Sequence, residues 1–456
     1  MDNTLAILFY LVVLLPTLLL ALYKPLVGLS LVILVNPFDN LIPLPMGLTI
    51  GRAMGIVVAL AWLYRYLITR ESRLLFEKRF NLCALLLILE MVVSSLLSEF
   101  PGKSMVTTFT ITFLILMFFF VQDFVLNERH LQILLVVIAV TFGGASIIGI
   151  LQFLGFEGAG EVIGNISSYE ESGARFSGFQ ANPNGYGLML MSGIPFLLFL
   201  AINGKRYLYR GLASVFLMTS VASLFLSLSR TFVAGFIVFS ATFLLLNYLS
   251  KRISRKQFLY LVLLVLFFVV LYSRMPDFVD DRLYRYTFSG QDTSGEERKY
   301  ILLKGIELLW QNPVFGIGFE AFPAMDSQYS GHLAPGVVGH DTLSAFFTST
   351  GLLGTLMFIF LCYKTFKYLN AAQKTFSASN GYLFNLALTV KAALIAILST
   401  SIGMSIVLER IFWIYLAFAA LLYRWSFLTQ FKVVKPAAVK DIRPGRGRGG
   451  TARGGR

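Results

Sequence analysis

The sequence contains few cysteines and few charged side chains, and both shortages narrow the classes of protein it can represent. Only two cysteines occur among 456 residues, Cys83 and Cys362, and both lie within apolar segments. The sequence therefore offers neither a disulfide framework nor the cysteine spacing of a metal site. Charged residues make up 14% of the chain, whereas a soluble globular protein carries about 25%. This deficit argues against a soluble protein.

Long apolar segments take the place of the missing charge. Hydrophobic residues make up 57% of the chain, and a helix that spans a bilayer needs about 20 of them in succession. Lipid leaves the backbone of such segments no alternative to helical hydrogen bonding. The sequence predicts an all-α polytopic membrane protein with about 12–13 transmembrane helices. The segments fall near 5–22, 26–43, 50–69, 81–98, 104–125, 131–155, 184–203, 208–226, 229–249, 257–273, 342–365, 383–403 and 406–428.

The loops between these segments predict the orientation and the division of the chain. Basic loops begin at Arg65, Asn203, Ser250 and Tyr363, and such loops mark the cytoplasmic side. The C-terminus is therefore expected in the cytoplasm, and the N-terminus reads as a retained first helix with no signal cleavage site. We divide the chain into N-terminal transmembrane helices (1–155), central helices with motif loops (156–273), an extracytoplasmic loop (274–341), C-terminal transmembrane helices (342–430) and a disordered basic tail (431–456). The tail is expected to touch anionic lipid and to bind no nucleic acid.

The loop 274–341 is long and carries the pattern of an amphipathic helix. Ser294 suits the N-cap, Glu297 the third helical position, and Pro313 the end of that helix. Apolar residues recur within it at helical spacing, which is typical of a helix at the membrane–water interface. The "FGIGF" that follows, from Phe315, is expected to form a flexible turn.

Arginines and asparagines mark three motifs that depart from the lipid-like background. Arg175 precedes "NPNGYG", in which Asn182 is a plausible helix cap and Asn184 a supporting residue. Arg230 lies in "SLSRT" between two apolar segments, and Arg298 lies in "SGEERKY". Each has a simpler structural interpretation as a snorkelling side chain, an interface anchor or part of a solvated helix face.

His340 and Asp341 stand where the long loop re-enters an apolar segment, in "GVVGHDTLSAFF". Asp341 can cap the following helix, and a lone histidine in a loop is often solvated. Alternatively, His340 acts as a general base, with Asp341 orienting it or capping the helix. Several arginines with one histidine and no metal cluster suggest chemistry on a diphosphate leaving group without a cofactor, because guanidinium groups bind phosphate bidentately.

In these motifs the sequence resembles the O-antigen ligase and O-antigen polymerase superfamily of bacterial inner-membrane glycan-transfer enzymes. The resemblance spans roughly 174–354 and rests on "RFSGFQANPNGYG", "SLSRT", "SGEERKYILLKGIELLWQNPVFGIGFEAF" and "GHDTLSAFFTSTGLLG" in this order. One departure is Asp341, where the superfamily commonly has asparagine.

The resemblance implies metal-independent glycan transfer from undecaprenyl diphosphate to a sugar hydroxyl, at the extracytoplasmic face of the bacterial cytoplasmic membrane. Its partners would be the lipid-linked glycan donor, a glycan or lipid-anchored saccharide acceptor, and membrane lipids. Arg175, Arg230 and Arg298 match positions that bind the diphosphate, and His340 matches the histidine that activates the acceptor hydroxyl.

Three functions remain open on the sequence alone. A ligase transfers the glycan to a terminal acceptor such as the core of lipopolysaccharide, and a polymerase transfers it to another repeat unit of O-antigen or exopolysaccharide. A membrane transporter is the less favoured alternative, because its critical charges are expected at the bilayer midplane. Glu90 and Lys391 are the candidates for such charges, and a structural pair between them is one interpretation.

Overall fold

The computed structural model describes residues 15–38, 49–69, 78–154, 183–227, 229–251, 294–329, 342–401 and 403–434, with isolated positions between these ranges. Within them the backbone alone is described at 152–153, 294–298, 326–329, 343 and 431–434. The predicted disordered tail, 431–456, lies outside the described residues from 435 onward, whereas residues 431–434 are helical, so the tail begins later than expected.

The described part of the chain is helical. Its helices are α1 (Pro25–Leu34), a 3₁₀ turn (Asn36–Phe38), α2 (Ile50–Thr69), α3 (Lys78–Leu97), α4 (Pro101–Phe124), α5 (Glu128–Phe153), α6 (Pro183–Asn203), α7 (Tyr207–Leu226), α8 (Arg230–Leu249), α9 (Ser294–Gln311), α10 (Ala321–Tyr329), α11 (Thr342–Ser379), α12 (Gly381–Thr400) and α13 (Arg410–Val434).

Ten of these helices are long and apolar enough to cross a membrane, which confirms an all-α polytopic membrane protein. The predicted segments 5–22 and 257–273 fall only partly on described residues, so the full number of spans stays a prediction. In the segment near 26–43 the described residues, which end at 38, form the ten-residue α1 and the 3₁₀ turn, and α1 is too short to cross.

Three helices, α6, α12 and α13, form the centre of the bundle. Of the most apolar window of α6, 94% is buried within the protein, against 33% in α8. Apolar residues surround α6 on all sides because it contacts other helices on all sides. Tyr415 of α13 stacks on Phe196 of α6 at 4.6 Å between ring centroids, and its hydroxyl donates to the Ser192 carbonyl over 2.7 Å.

Polar contacts close one end of the bundle, which we call the far end. Asn380 caps α12 by accepting from two backbone N–H groups, and its amide donates to Glu128 over 2.8 Å. Arg424 of α13 donates to the carbonyls of Gln122 and Val125, where α4 ends. A cation at this position satisfies carbonyls that have no partner within the helix.

The interpretation of Glu90 and Lys391 as a structural pair is wrong. The Lys391 ammonium donates to the Asn370 amide oxygen over 2.7 Å. Both Glu90 carboxyl oxygens are buried and lack a hydrogen-bond partner among the described residues. The sequence does not indicate which turn of α3 lies beside which turn of α12. The position of two charges in the middle of their segments was therefore not enough to predict that they meet.

The turn "FGIGF" is not the flexible turn that was expected, because backbone hydrogen bonds hold it against a break in helix α11. Gly351 adopts φ 61° and ψ −161° inside α11, which releases backbone groups from helical bonding. The N–H groups of Ile317 and Gly318 donate to the carbonyls of Thr348 and Ser349, each over 2.9 Å. In return the N–H groups of Leu352 and Leu353 donate to the carbonyls of residues 313 and 314. We call this two-way set of hydrogen bonds the backbone clamp.

The predicted amphipathic helix is confirmed as α9, which extends from Ser294 to Gln311. Ile301 and Leu308 are buried, and a β-carbon at Gly305 would lie 2.7 Å from the Thr348 hydroxyl of α11. Leu303 and Trp310 are exposed. One face of α9 therefore packs on α11, while the opposite face presents apolar side chains away from the protein, as a helix at a membrane interface does.

Candidate functional site at the end of the bundle opposite the far end

The first two sequence motifs meet where α6 and α8 begin. The Ser229 hydroxyl, at the N-cap of α8, donates to the Asn184 amide oxygen of α6 over 2.8 Å. Gly187 permits this approach, because a β-carbon there would lie 2.9 Å from Phe232 and 3.2 Å from the Ser229 β-carbon. Two helix N-termini, each with a partial positive charge, are thus held side by side.

The segment between α12 and α13 joins these motifs to the start of α11. A β-carbon at Gly403 would lie 2.8 Å from the Thr231 hydroxyl, and one at Gly185 would lie 4.0 Å from the Met404 side chain. Gly403 thus lies against the "SLSRT" motif, and Met404 lies against the "NPNGYG" motif.

Thr342, which follows His340 and Asp341 in the sequence, is fixed to the same segment. Its N–H donates to the Ser401 carbonyl over 2.8 Å and its hydroxyl donates to the Met404 carbonyl over 3.2 Å. The same hydroxyl accepts from the Ile406 N–H over 3.0 Å. We call Asn184, Ser229, Thr231, Thr342, Ser401 and residues 403–406 the motif cluster.

The structure places three of the predicted site residues. Asn184 lies in the motif cluster, and Arg230 is the first residue of α8 with an exposed side chain. Arg298 lies in the first half of α9, where only the backbone is described. Arg175, Asn182, His340 and Asp341 lie outside the described residues.

A narrow cavity of about 40 Å³ lies beside the motif cluster. Ile301 of α9, Glu320, Ser344 of α11 and Leu408 line it, among others. Glu320 follows the backbone clamp with φ 60°. Burial raises the pKa of the Glu320 carboxyl, and Lys103 partly opposes this shift by favouring the charged form.

Because the pKa of Glu320 is raised, we expect the stability of the folded protein to decrease as pH rises. The folded protein holds the carboxyl proton to a higher pH than the unfolded chain does, so stability falls as pH rises from the ordinary glutamate pKa through the raised value. We expect Glu320→Gln to unfold at a higher temperature than the parent at pH 8, with the difference shrinking near pH 4. The exposed Glu307, changed to glutamine, is the control and should show little change at either pH. An equal gain for Glu320→Gln at both pH values would show that its protonation plays no part.

A second, more polar cavity of about 150 Å³ adjoins the cluster and contains residues that the sequence motifs did not indicate. Arg52, Gln180 and Arg410 line it, and Leu408 lines both cavities. Arg410 is buried and donates to the Asn36 amide oxygen over 3.0 Å. Amides and guanidinium groups in one cavity suit a ligand rich in hydroxyl or phosphate oxygens.

The described residues contain no group of three or more metal-binding side chains. Their candidate chemistry comes instead from cations, helix N-termini and hydroxyl groups around the motif cluster. This composition suits an anionic, oxygen-rich substrate.

Comparison with known proteins supports the same class of chemistry. Residues 213–359 match the O-antigen ligase family. The match confirms the resemblance to the O-antigen ligase and polymerase superfamily, and its range extends from α7 into α11. The O-antigen ligase match therefore includes Arg230, Arg298 and Thr342, while Asn184 lies before it. No curated protein matches the chain.

Sequence reasoning missed the part that Ser401 and residues 403–406 play in the motif cluster. Their only signal was a run of small and polar residues, "STSIGMS" from Ser399, between two strongly apolar segments. The structure shows that this run contacts the starts of α6, α8 and α11, which a scan for charged motifs does not reveal.

Proposed function

We propose that the protein transfers a glycan from undecaprenyl diphosphate to a sugar hydroxyl of an acceptor, as an O-antigen ligase does. The observation that carries the proposal is the motif cluster. It brings "SLSRT" and the start of α11, both inside the family match, against the "NPNGYG" motif at one end of the bundle. Segments that are up to about 220 residues apart in the chain thus contribute to one site.

The orientation of the bundle supports an extracytoplasmic reaction in the bacterial cytoplasmic membrane. Lys205 and Arg206 lie between α6 and α7, and Lys251 follows α8, each at the end remote from the motif cluster. Cytoplasmic loops carry an excess of such cations. The far end is therefore assigned to the cytoplasm together with the C-terminus, and the motif cluster to the opposite face.

Arginine side chains and helix N-termini supply the charge that this reaction needs. The diphosphate gains negative charge as its bond to the sugar breaks, and preorganised cations stabilise that charge most in the transition state. Arg230 stands at the N-terminus of α8, so the guanidinium charge and the helix dipole have the same sign. Arg175 and Arg298 are proposed to bind the same diphosphate.

His340 is proposed as the general base. It precedes Thr342 by two residues, and a chain spans at most about 3.6 Å per residue, so its backbone stays within about 7 Å of Thr342. A neutral imidazole can take the proton of the acceptor hydroxyl as that hydroxyl attacks the anomeric carbon. Attack opposite the diphosphate inverts this centre. Asn182 and Asp341 are proposed to support the site by capping helices.

The test is a transfer assay on the purified protein with a glycan linked to undecaprenyl diphosphate. Lipid A–core and a second lipid-linked repeat unit are supplied as separate acceptors. We expect transfer to the lipid A–core and release of undecaprenyl diphosphate, with little effect of EDTA. Extension of the repeat unit alone would replace the ligase assignment by a polymerase. No transfer to either acceptor would contradict the proposal.

Neutralising the proposed diphosphate-binding cations should impair use of the donor. We expect Arg298→Gln and Arg230→Gln each to lower kcat/KM for the donor about 10–1,000-fold, because a charged hydrogen bond to the leaving group is lost. The matched control is Lys299→Gln, which removes the same charge from the position next to Arg298 and has an exposed side chain. If Arg298→Gln and Lys299→Gln had equal donor kinetics, positive charge in general would explain the effect on donor use. Arg298 would then have no specific role in the site.

A further inference from the structure

A large cavity opens at the far end, away from the motif cluster. It has a volume of about 890 Å³ and lies where α1 and α5 begin and where α2 and α4 end. Its size lies within the range of about 300–1,000 Å³ that is typical of small-molecule sites. Neither the proposed reaction nor the sequence motifs make use of it. We call it the far-end cavity.

Cationic side chains predominate in the far-end cavity. Lys24, Arg65 and Arg129 line it together with a single carboxylate, Asp123. Asp123 accepts a hydrogen bond from the Trp62 indole over 2.8 Å, so this acid also helps to hold the wall of the cavity. The Lys24 and Arg129 side chains are exposed. The balance of charge favours an anionic ligand.

Aromatic and apolar side chains place the far-end cavity at the depth of lipid headgroups. Trp62, Tyr66 and Tyr23 line it, and tryptophan and tyrosine concentrate at membrane–water interfaces. Leu26 and Ile133 add apolar wall on the membrane-spanning side of α1 and α5. A ligand that fits both walls carries a negative charge next to a hydrocarbon chain.

We propose that the far-end cavity binds the phosphate-bearing headgroup of an anionic phospholipid from the leaflet at that end. Basic cavities between transmembrane helices recognise such headgroups, and each cation near the membrane surface contributes about 1 kcal/mol. The aromatic rim and apolar wall select a lipid over a soluble phosphate. The lipid would join α1, α2, α4 and α5 through one bound molecule.

The experiment measures lipid binding to the full chain by native mass spectrometry and by thermal unfolding in detergent. Phosphatidylglycerol, phosphatidylcholine and inorganic phosphate are added in separate arms. We expect phosphatidylglycerol alone to remain bound and to raise the unfolding temperature. The variant with Lys24→Gln and Arg129→Gln should bind it about 10–30-fold more weakly. Both changed side chains are exposed, so the fold is expected to persist.

Arg206→Gln is the matched control, because Arg206 is an exposed cation at the same end but outside the cavity. Equal loss of binding in the control and in the double variant would reduce the site to a general surface charge and overturn the proposal. An equal effect of inorganic phosphate would assign the cavity to a soluble ion. Equal binding of phosphatidylcholine would show that the negative charge is not recognised.

Discussion

Replacing His340 by alanine is expected to reduce glycan transfer about 100–10,000-fold, while the donor still binds. This range is the usual contribution of a general base, and alanine cannot take the proton of the acceptor hydroxyl. The two measurements are the rate of transfer at saturating donor and the dissociation constant of the lipid-linked donor. The pH profile gives a third readout, since a histidine base produces a loss of rate below about pH 6.5.

His332→Ala is the matched control, because His332 is the other histidine of the same loop. We expect this variant to keep both the rate and the acidic limb of the pH profile. Full turnover in His340→Ala would show that another group takes the proton, while the arginine assignments would still stand on their own test. Loss of donor binding in His340→Ala would instead place the imidazole among the groups that hold the diphosphate.

Replacing Gly351 by alanine is expected to destabilise the protein by about 2–6 kcal/mol, through two effects that add. The dihedral angles of Gly351 lie in a region almost restricted to glycine, which costs other residues about 1–3 kcal/mol. A β-carbon at Gly351 would also overlap the Val314 carbonyl, and forced overlap in a packed site costs a further 1–3 kcal/mol or so. Thermal unfolding in detergent measures the loss.

Gly144→Ala provides the control, because Gly144 lies inside α5 and a β-carbon there meets no atom within 4 Å. Alanine in a helix interior is favoured over glycine by about 0.5–1 kcal/mol, so this variant should be as stable as the parent or slightly more so. Parent-like stability of Gly351→Ala would mean that the backbone clamp is not a rigid part of the structure.

The backbone clamp also bears on activity, because it fixes α9 relative to α11. Arg298 lies on α9, and Thr342, next to the proposed base, begins α11. The contact of Gly305 with Thr348 links the two helices directly, and the clamp fixes the segment that follows α9 to α11. Any Gly351 variant that folds is therefore expected to lose transfer, since misplacement of a catalytic group by about 1 Å can cost 100-fold in rate.

Much of the fold was predictable because lipid imposes a simple rule. Segments of about 20 apolar residues must be helical in a bilayer, so the sequence alone indicated α2 to α8 and α11 to α13 as spans. The amphipathic α9 was equally predictable, because its apolar spacing and Pro313 agree on one helix, which begins at Ser294 itself and not after it. The order of motifs also indicated the resemblance to the O-antigen ligase and polymerase superfamily, which the match at 213–359 supports.

The sequence by itself determined the all-helical membrane fold, the family resemblance and the candidate arginines and histidine, since each of these depends on composition or on local spacing. The tertiary structure decided which helices meet. It joined Lys391 to Asn370 and left Glu90 apart, fixed the "FGIGF" turn to a break in α11, and gathered the starts of α6, α8 and α11 around Ser401 and residues 403–406. These contacts depend on helix register and on backbone hydrogen bonds between distant segments, and neither leaves a periodic pattern in one chain.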